Sequence, residues 1–201
     1  MKSIYVSIIF IAVLFISACS VQSSAYQSIY NDEIASFIKG QYPLFDVVAS
    51  SIDSSNYSEI YVAEGKGMAE VATEIEAVKE PVQSSDENDG KQVLVYDQFF
   101  VILSVAEDNR ANTLIELANK EFVRNNFNPS FFEGMLLMSM LNNMLGGNDW
   151  GNTRRQQCNN NPDECYRGYS TSGGSFKGYQ NSPTVRGGSA TIRGGGPGTG
   201  K

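Results

Sequence analysis

Side-chain catalysis needs groups that hold, release or share protons and electron pairs, and this chain of 201 residues carries a restricted set of them. It has 22 acidic and 15 basic side chains and no histidine. That removes the commonest general base and metal ligand, and with it Ser-His-Asp and Cys-His catalysis and the usual zinc sites. Carboxylates are what remains for acid–base work, so the catalytic class open to the chain is a hydrolase or transferase using Asp97, Glu116 or Glu133. Each of these acids also has a plainer role: Asp97 as a turn residue, Glu116 on an exposed strand face, Glu133 as a helix cap.

Two cysteines, Cys158 and Cys165, stand either side of the segment NNNPDE. In an oxidising compartment a pair this close most simply forms an intramolecular disulfide, while bonds to a partner and a redox or metal role stay open. Residues 195–201 (GGPGTGK) match the first letters of a phosphate-binding loop. That loop works only between a strand and a helix, with a hydroxyl residue after the lysine, and neither condition is met here. Residues 84–91 (SSDENDGK) are acidic, but their oxygen ligands do not alternate as a calcium loop requires. The aromatic and basic residues Tyr166, Arg167, Tyr169, Arg186, Arg193 and Lys201 can stack on sugars or touch an anionic polymer, or simply belong to a solvated tail. No catalytic, cofactor-binding or metal-ligating set emerges.

The elements that would position these groups can be read from periodicity. Asp32 and Glu33 start a short amphipathic helix carrying Ile34, Phe37 and Ile38, and Gly40 stops it. Residues 44–52 are an edge strand or a continuation of that helix, with Pro43 weakening the second option. Residues 59–63 read as a strand. Met68, Val71, Ile75 and Val78 then mark an amphipathic helix over 66–78, closed by Pro81. Residues 93–96 and 99–105 are rich in β-branched and aromatic side chains, as strands buried on both faces are. They form a hairpin or one long bulged strand. Residues 107–110 turn the chain, 113–117 form a further strand, and 121–127 continue the sheet or make a helical turn.

Ser130 and Glu133 fit a capping box, and Gly146 with Gly147 fit a left-handed stop, so the spacing predicts one helix over 130–145, apolar nearly all round. Its methionines suit domain core, a partner interface or the margin of a bilayer. From Gly146 onward come 14 of the 19 glycines and few aliphatic residues. Such a stretch buries too little apolar area to offset its ordering entropy, so residues 146–201 are expected to be a disordered Gly/Arg-rich tail.

At the other end, Lys2 precedes an apolar run over 4–16 and then Ser17-Ala18-Cys19. These are the parts of a secretory signal over residues 1–18; the run is shorter than the roughly 20 apolar residues a spanning helix needs. The stretch from Ile16 to Cys19 resembles the bacterial lipobox. The resemblance implies diacylglyceryl modification of Cys19 and cleavage before it, giving a stable anchor in the cell membrane or outer membrane and a domain facing the periplasm or exterior. Ser20 does not favour retention at an inner membrane. Residues 19–28 read as a tether. Between Cys19 and Leu145 there are 19 acids against 7 bases, an acidic balance that argues against nucleic acid as a partner.

The segments IYVAEG, LVYDQFFVIL and TLIELANKEFVRNNFNPSFFEGMLL, followed by Tyr166-Arg167-Gly168-Tyr169 and a glycine/serine/arginine tail, resemble bacterial proteins grouped as domain of unknown function 4247. The resemblance runs from about residue 60 to 201 and is most specific over 121–137. It implies a secreted or lipid-anchored protein and offers no catalytic residues to carry over. The expected architecture is α+β over residues 29–145: a small antiparallel or mixed sheet with packed helices. The expected role is a membrane-tethered component that binds an envelope protein or wall polymer and needs no cofactor.

Overall fold

A computed structural model describes residues 32–147 and 149–171. Cys19, the signal, the tether and residues 172–201 lie outside the described residues. The fold is α+β, built on a six-stranded, wholly antiparallel sheet in the order β1-β2-β6-β5-β4-β3. Helix α1 (Glu33–Gln41) comes first, its end fixed by Asp32, whose Oδ1 accepts the amide of Ile34 at 2.8 Å. Edge strand β1 (Leu44–Ala49) and β2 (Tyr57–Ala63) follow, then α2 (Met68–Val78), the two-residue β3 (Gln83–Ser84) and β4 (Lys91–Val95). Between β3 and β4 the chain reverses through Asp89 and Gly90, both at positive φ, with Asn88 and Lys91 exchanging two backbone hydrogen bonds. This is the geometry for which Asp-Gly is suited. Strand β5 (Phe99–Val105) returns from β4 as a hairpin across Asp97 and Gln98, and β6 (Thr113–Asn119) completes the sheet.

All seven residues of β6 are buried because both faces of the sheet are covered. On one face Ile34, Ile38, Val71 and Ile75 of α1 and α2 pack on Leu94, Val101, Leu103, Ile115 and Leu117. On the other, Val93, Phe100, Ile102, Leu114 and Ala118 meet α3 (Lys120–Asn126), a 3-10 turn (Pro129–Phe132), α4 (Met138–Leu145) and α5 (Trp150–Asn160). Asn119 caps α3 by accepting the Phe122 amide at 2.6 Å. The 121–127 segment is therefore helical rather than a seventh strand.

One expectation is corrected here. The single helix over 130–145 does not form. Asn128, not Ser130, is the cap, accepting the Ser130 amide at 3.0 Å, and Pro129 opens only a 3-10 turn. Glu133 is extended, and Gly134 and Leu136 lie at φ +82° and +56°, so the chain doubles back before α4 begins. The doubling packs Phe131 edge-on and Phe132 at a tilt against Phe127, with centroids 5.2 and 5.5 Å away, contacts a straight helix would forfeit.

Residues 149–171 also depart from the expected disordered tail. They pack on the body: Trp150 and Tyr166 belong to the core, and Cys158 is buried. Few aliphatic residues are needed because aromatic rings and a buried arginine do the packing. Trp150 donates from Nε1 to the Arg124 carbonyl at 3.0 Å. The Arg154 guanidinium, 8% exposed, donates to the carbonyls of Phe127, Asn126 and Glu164 at 3.2, 3.0 and 3.2 Å.

Candidate functional site

The chemistry-bearing residue in the least ordinary setting is Glu116. Antiparallel register places Asp46, Ile60, Glu116, Ile102 and Val93 in one row across five strands, so their side chains share one face of the sheet. Asp46 and Glu116 are two strands apart, roughly 10 Å along the row. Glu116 is 2% exposed. Its Oε1 accepts a hydrogen bond from the Ser58 hydroxyl at 2.9 Å, and its Oε2 accepts one from the Tyr169 amide at 3.2 Å.

The cover over this carboxyl is the segment 166–169. Tyr166 enters beside α3: its amide donates to the Asn126 carbonyl at 2.8 Å and its carbonyl accepts the Asn128 amide at 2.7 Å. Its ring packs edge-on against Phe122 and Phe127, with centroids 5.8 and 4.9 Å away, and its hydroxyl faces Glu116. Gly168, at φ +82°, then bends the chain; a Cβ there would stand 2.5 Å from the Phe131 ring, so the turn is open only to glycine. Tyr169 spans Ile60, joining Glu116 through its amide and Asp46 through its hydroxyl, which donates to Oδ2 at 2.8 Å. The Phe45 ring meets Tyr169 edge-on with centroids 6.0 Å apart.

Burial pushes the Glu116 carboxyl up to about 7, because removing water penalises the anion more than three surrounding donors can repay. Those donors, the Ser58 hydroxyl, the Tyr169 amide and the Tyr166 hydroxyl, each act in the opposite direction. Both tyrosines are pushed well above the ordinary phenol range, foremost by burial and then by Glu116 for Tyr166 and by Asp46 for Tyr169. The arrangement can hold a proton near neutrality inside an apolar layer, and it ties the carboxy-terminal segment to the centre of the sheet.

The three acids singled out from the sequence do not meet. Asp97 is exposed in the β4–β5 turn. Glu133 is exposed and pairs with Arg155 at 2.9 Å instead of capping a helix. Glu116 is buried rather than on an exposed strand face. None of the three borders the open depression of about 550 Å³ beside Lys91, Glu107, Arg110 and Thr171. Cys158 and Cys165 are joined as a disulfide with Cα atoms 5.5 Å apart, pinning the end of α5 to the residue before Tyr166. Among the described residues no cluster of three or more acids and cysteines is placed to hold a metal ion. No helix among them is long and apolar enough to cross a membrane.

Sequence reasoning missed Asp46, Ser58, Asn126 and Arg154. For Glu116 a signal existed: a lone acid in the run TLIELAN, between Leu114 and Ala118 on the same face, sits in a strand too apolar to have a wet side.

A family model described as a domain of unknown function (DUF4247) matches residues 12–199. No curated protein and no solved structure matches the chain.

Proposed function

The chain belongs to that family, and we propose that it is a lipid-anchored protein of the bacterial envelope, tethered through Cys19 and serving as a binding or assembly component. The observation that carries this reading is the Cys158–Cys165 disulfide, since such bonds form and persist in oxidising compartments. The apolar run over 4–16 leading to Ser17-Ala18-Cys19 supports the same compartment. The binding role is set before a catalytic one because the oxygens of Glu116, the buried acid, are occupied by Ser58 and by the chain's own Tyr169. The partners proposed are an envelope protein or a wall polymer, not nucleic acid, given the acidic body.

Cys19→Ser tests the anchor: the variant should accumulate as unprocessed precursor and lose detergent partitioning, and a variant still cleaved before residue 19 that still partitions defeats the reading. Crosslinking in intact cells, with identification of what co-purifies, tests the binding role.

A second reading, a carboxylate-dependent hydrolase or transferase, draws on the raised Glu116 and on Asp46 in the same row. It requires displacement of Tyr166 and Tyr169. A hydrolytic activity present in the parent protein and lost in a folded Glu116→Gln variant would favour it.

A further inference from the structure

The most exposed large apolar side chain among the described residues is Leu136, at 93%, and its backbone lies at φ +56°, a region where a leucine is rare. Met135 before it and Leu137 after it are both buried. Two inward anchors either side of a left-handed residue force the side chain between them outward, so the strain holds a leucine in solvent where a regular helix would have buried part of it. In the helix that follows, Met138, Met140 and Met144 are only partly buried. The segment from Gly134 to Gly147 contains no charged residue, and the charge of Glu133 at its border is met by Arg155. On a body with 19 acids against 7 bases, this is an uncharged surface, formed by Leu136 with the small or polar Ser139 and Asn143.

We propose that this face, led by Leu136, rests on the lipid bilayer that holds Cys19; the inference rests on the anchor reading above. From Cys19 to Asn31 there are 13 residues, which span at most roughly 45 Å. The domain is thereby kept within its own dimensions of the surface, and it turns some face toward it. An acidic face is repelled by anionic headgroups, while a neutral one with a projecting leucine and adaptable thioethers is not. Helix α1 starts on the opposite layer from α4, and with the two helical layers roughly 20 Å apart across the sheet the tether is long enough to pass around the sheet edge.

The test uses the full-length chain, purified from membranes and reconstituted into vesicles of phosphatidylcholine and phosphatidylglycerol with or without brominated acyl chains. Leu136→Trp is compared with Val82→Trp, Val82 being an exposed apolar residue beyond α2, and both are read against the parent chain, whose single tryptophan supplies the background. In floated protein, brominated lipid should quench the added emission at position 136 at least threefold more than at position 82. Floated protein with equal quenching at the two positions overturns this inference and leaves the anchor intact. Protein that fails to float removes the anchor reading and this inference with it. Emission at position 136 already blue-shifted in vesicle-free solution, in a concentration-dependent way, assigns the face to a second protein chain and likewise overturns it.

Discussion

The amide of Tyr169 donates to Oε2 of Glu116 across 3.2 Å, though 53 residues separate them in sequence. This bond ties the last described segment to the middle of the central strand, beside a carboxyl group whose ionisation costs folding energy.

Stability should therefore depend on pH in a predictable direction. The Glu116 carboxyl is ordinarily near 4.5 and is raised to about 7 in the folded protein. Its contribution is fully present below pH 4.5 and declines as pH rises through 7, since between these values the native state holds a proton that the unfolded state has released. The total is about 3 kcal/mol for a group without solvent screening. Glu116→Gln keeps an acceptor for the Tyr169 amide and should flatten this component of the profile between pH 5 and 8. Denaturant unfolding across that range checks it; a Glu116→Gln slope equal to the parent's contradicts the assignment.

Truncation at two points tells which part of the carboxy-terminal region supports the domain. A chain ending at Gly147 loses Trp150, Arg154 and Tyr166 from the core and leaves Asn126 and Phe127 carbonyls unpaired, so it should lack a cooperative thermal transition. A chain ending at Thr171 retains every described contact, and its midpoint should stay within a few degrees of the parent's.

Neighbouring leucines should behave oppositely. Leu141→Ala removes a fully buried side chain and should cost about 2–5 kcal/mol. Leu136→Ala should change stability by no more than about 0.5 kcal/mol. Equal losses at the two positions would restore the continuous helix that the structure replaces.

Gly168→Ala should cost about 1–3 kcal/mol, from the positive φ and from the Phe131 ring together. Its second signature is the loss of slow amide exchange at Tyr169, because the bend that aims this amide at Glu116 is what the methyl group disturbs.

Strands and the amphipathic helices were legible in the sequence because burial there follows a local period: Val93 to Val95 and Phe99 to Val105 announce a double-sided strand wherever they are placed. The 130–145 segment misled because Ser130 and Glu133 satisfy a local rule that Asn128 and Pro129 pre-empt, and because Leu136 accepts a left-handed conformation which sequence pattern assigns to glycine. Residues 150–169 were illegible for another reason. Their packing rests on single long-range partners, Arg154 with three carbonyls and Tyr166 with Phe122 and Phe127, and such pairings leave no periodic trace. The Asp89-Gly90 reversal was readable from its dipeptide alone and was obscured by the acids around it. Asp46 and Ser58 could be placed beside Glu116 only once strand register was known.

The disulfide-pinned segment also sets the order in which the protein can be finished. A chain made amino end first has all six strands available once Asn119 has emerged, yet Glu116 lacks its cover until Tyr166 and Tyr169 arrive some fifty residues later. Until then the acid at the centre of the sheet lacks the amide and the hydroxyl that this segment turns toward it. Oxidation of the Cys158–Cys165 pair falls at the same end of the chain, so the bond that pins α5 beside Tyr166 can close only when nearly the whole described domain has been made.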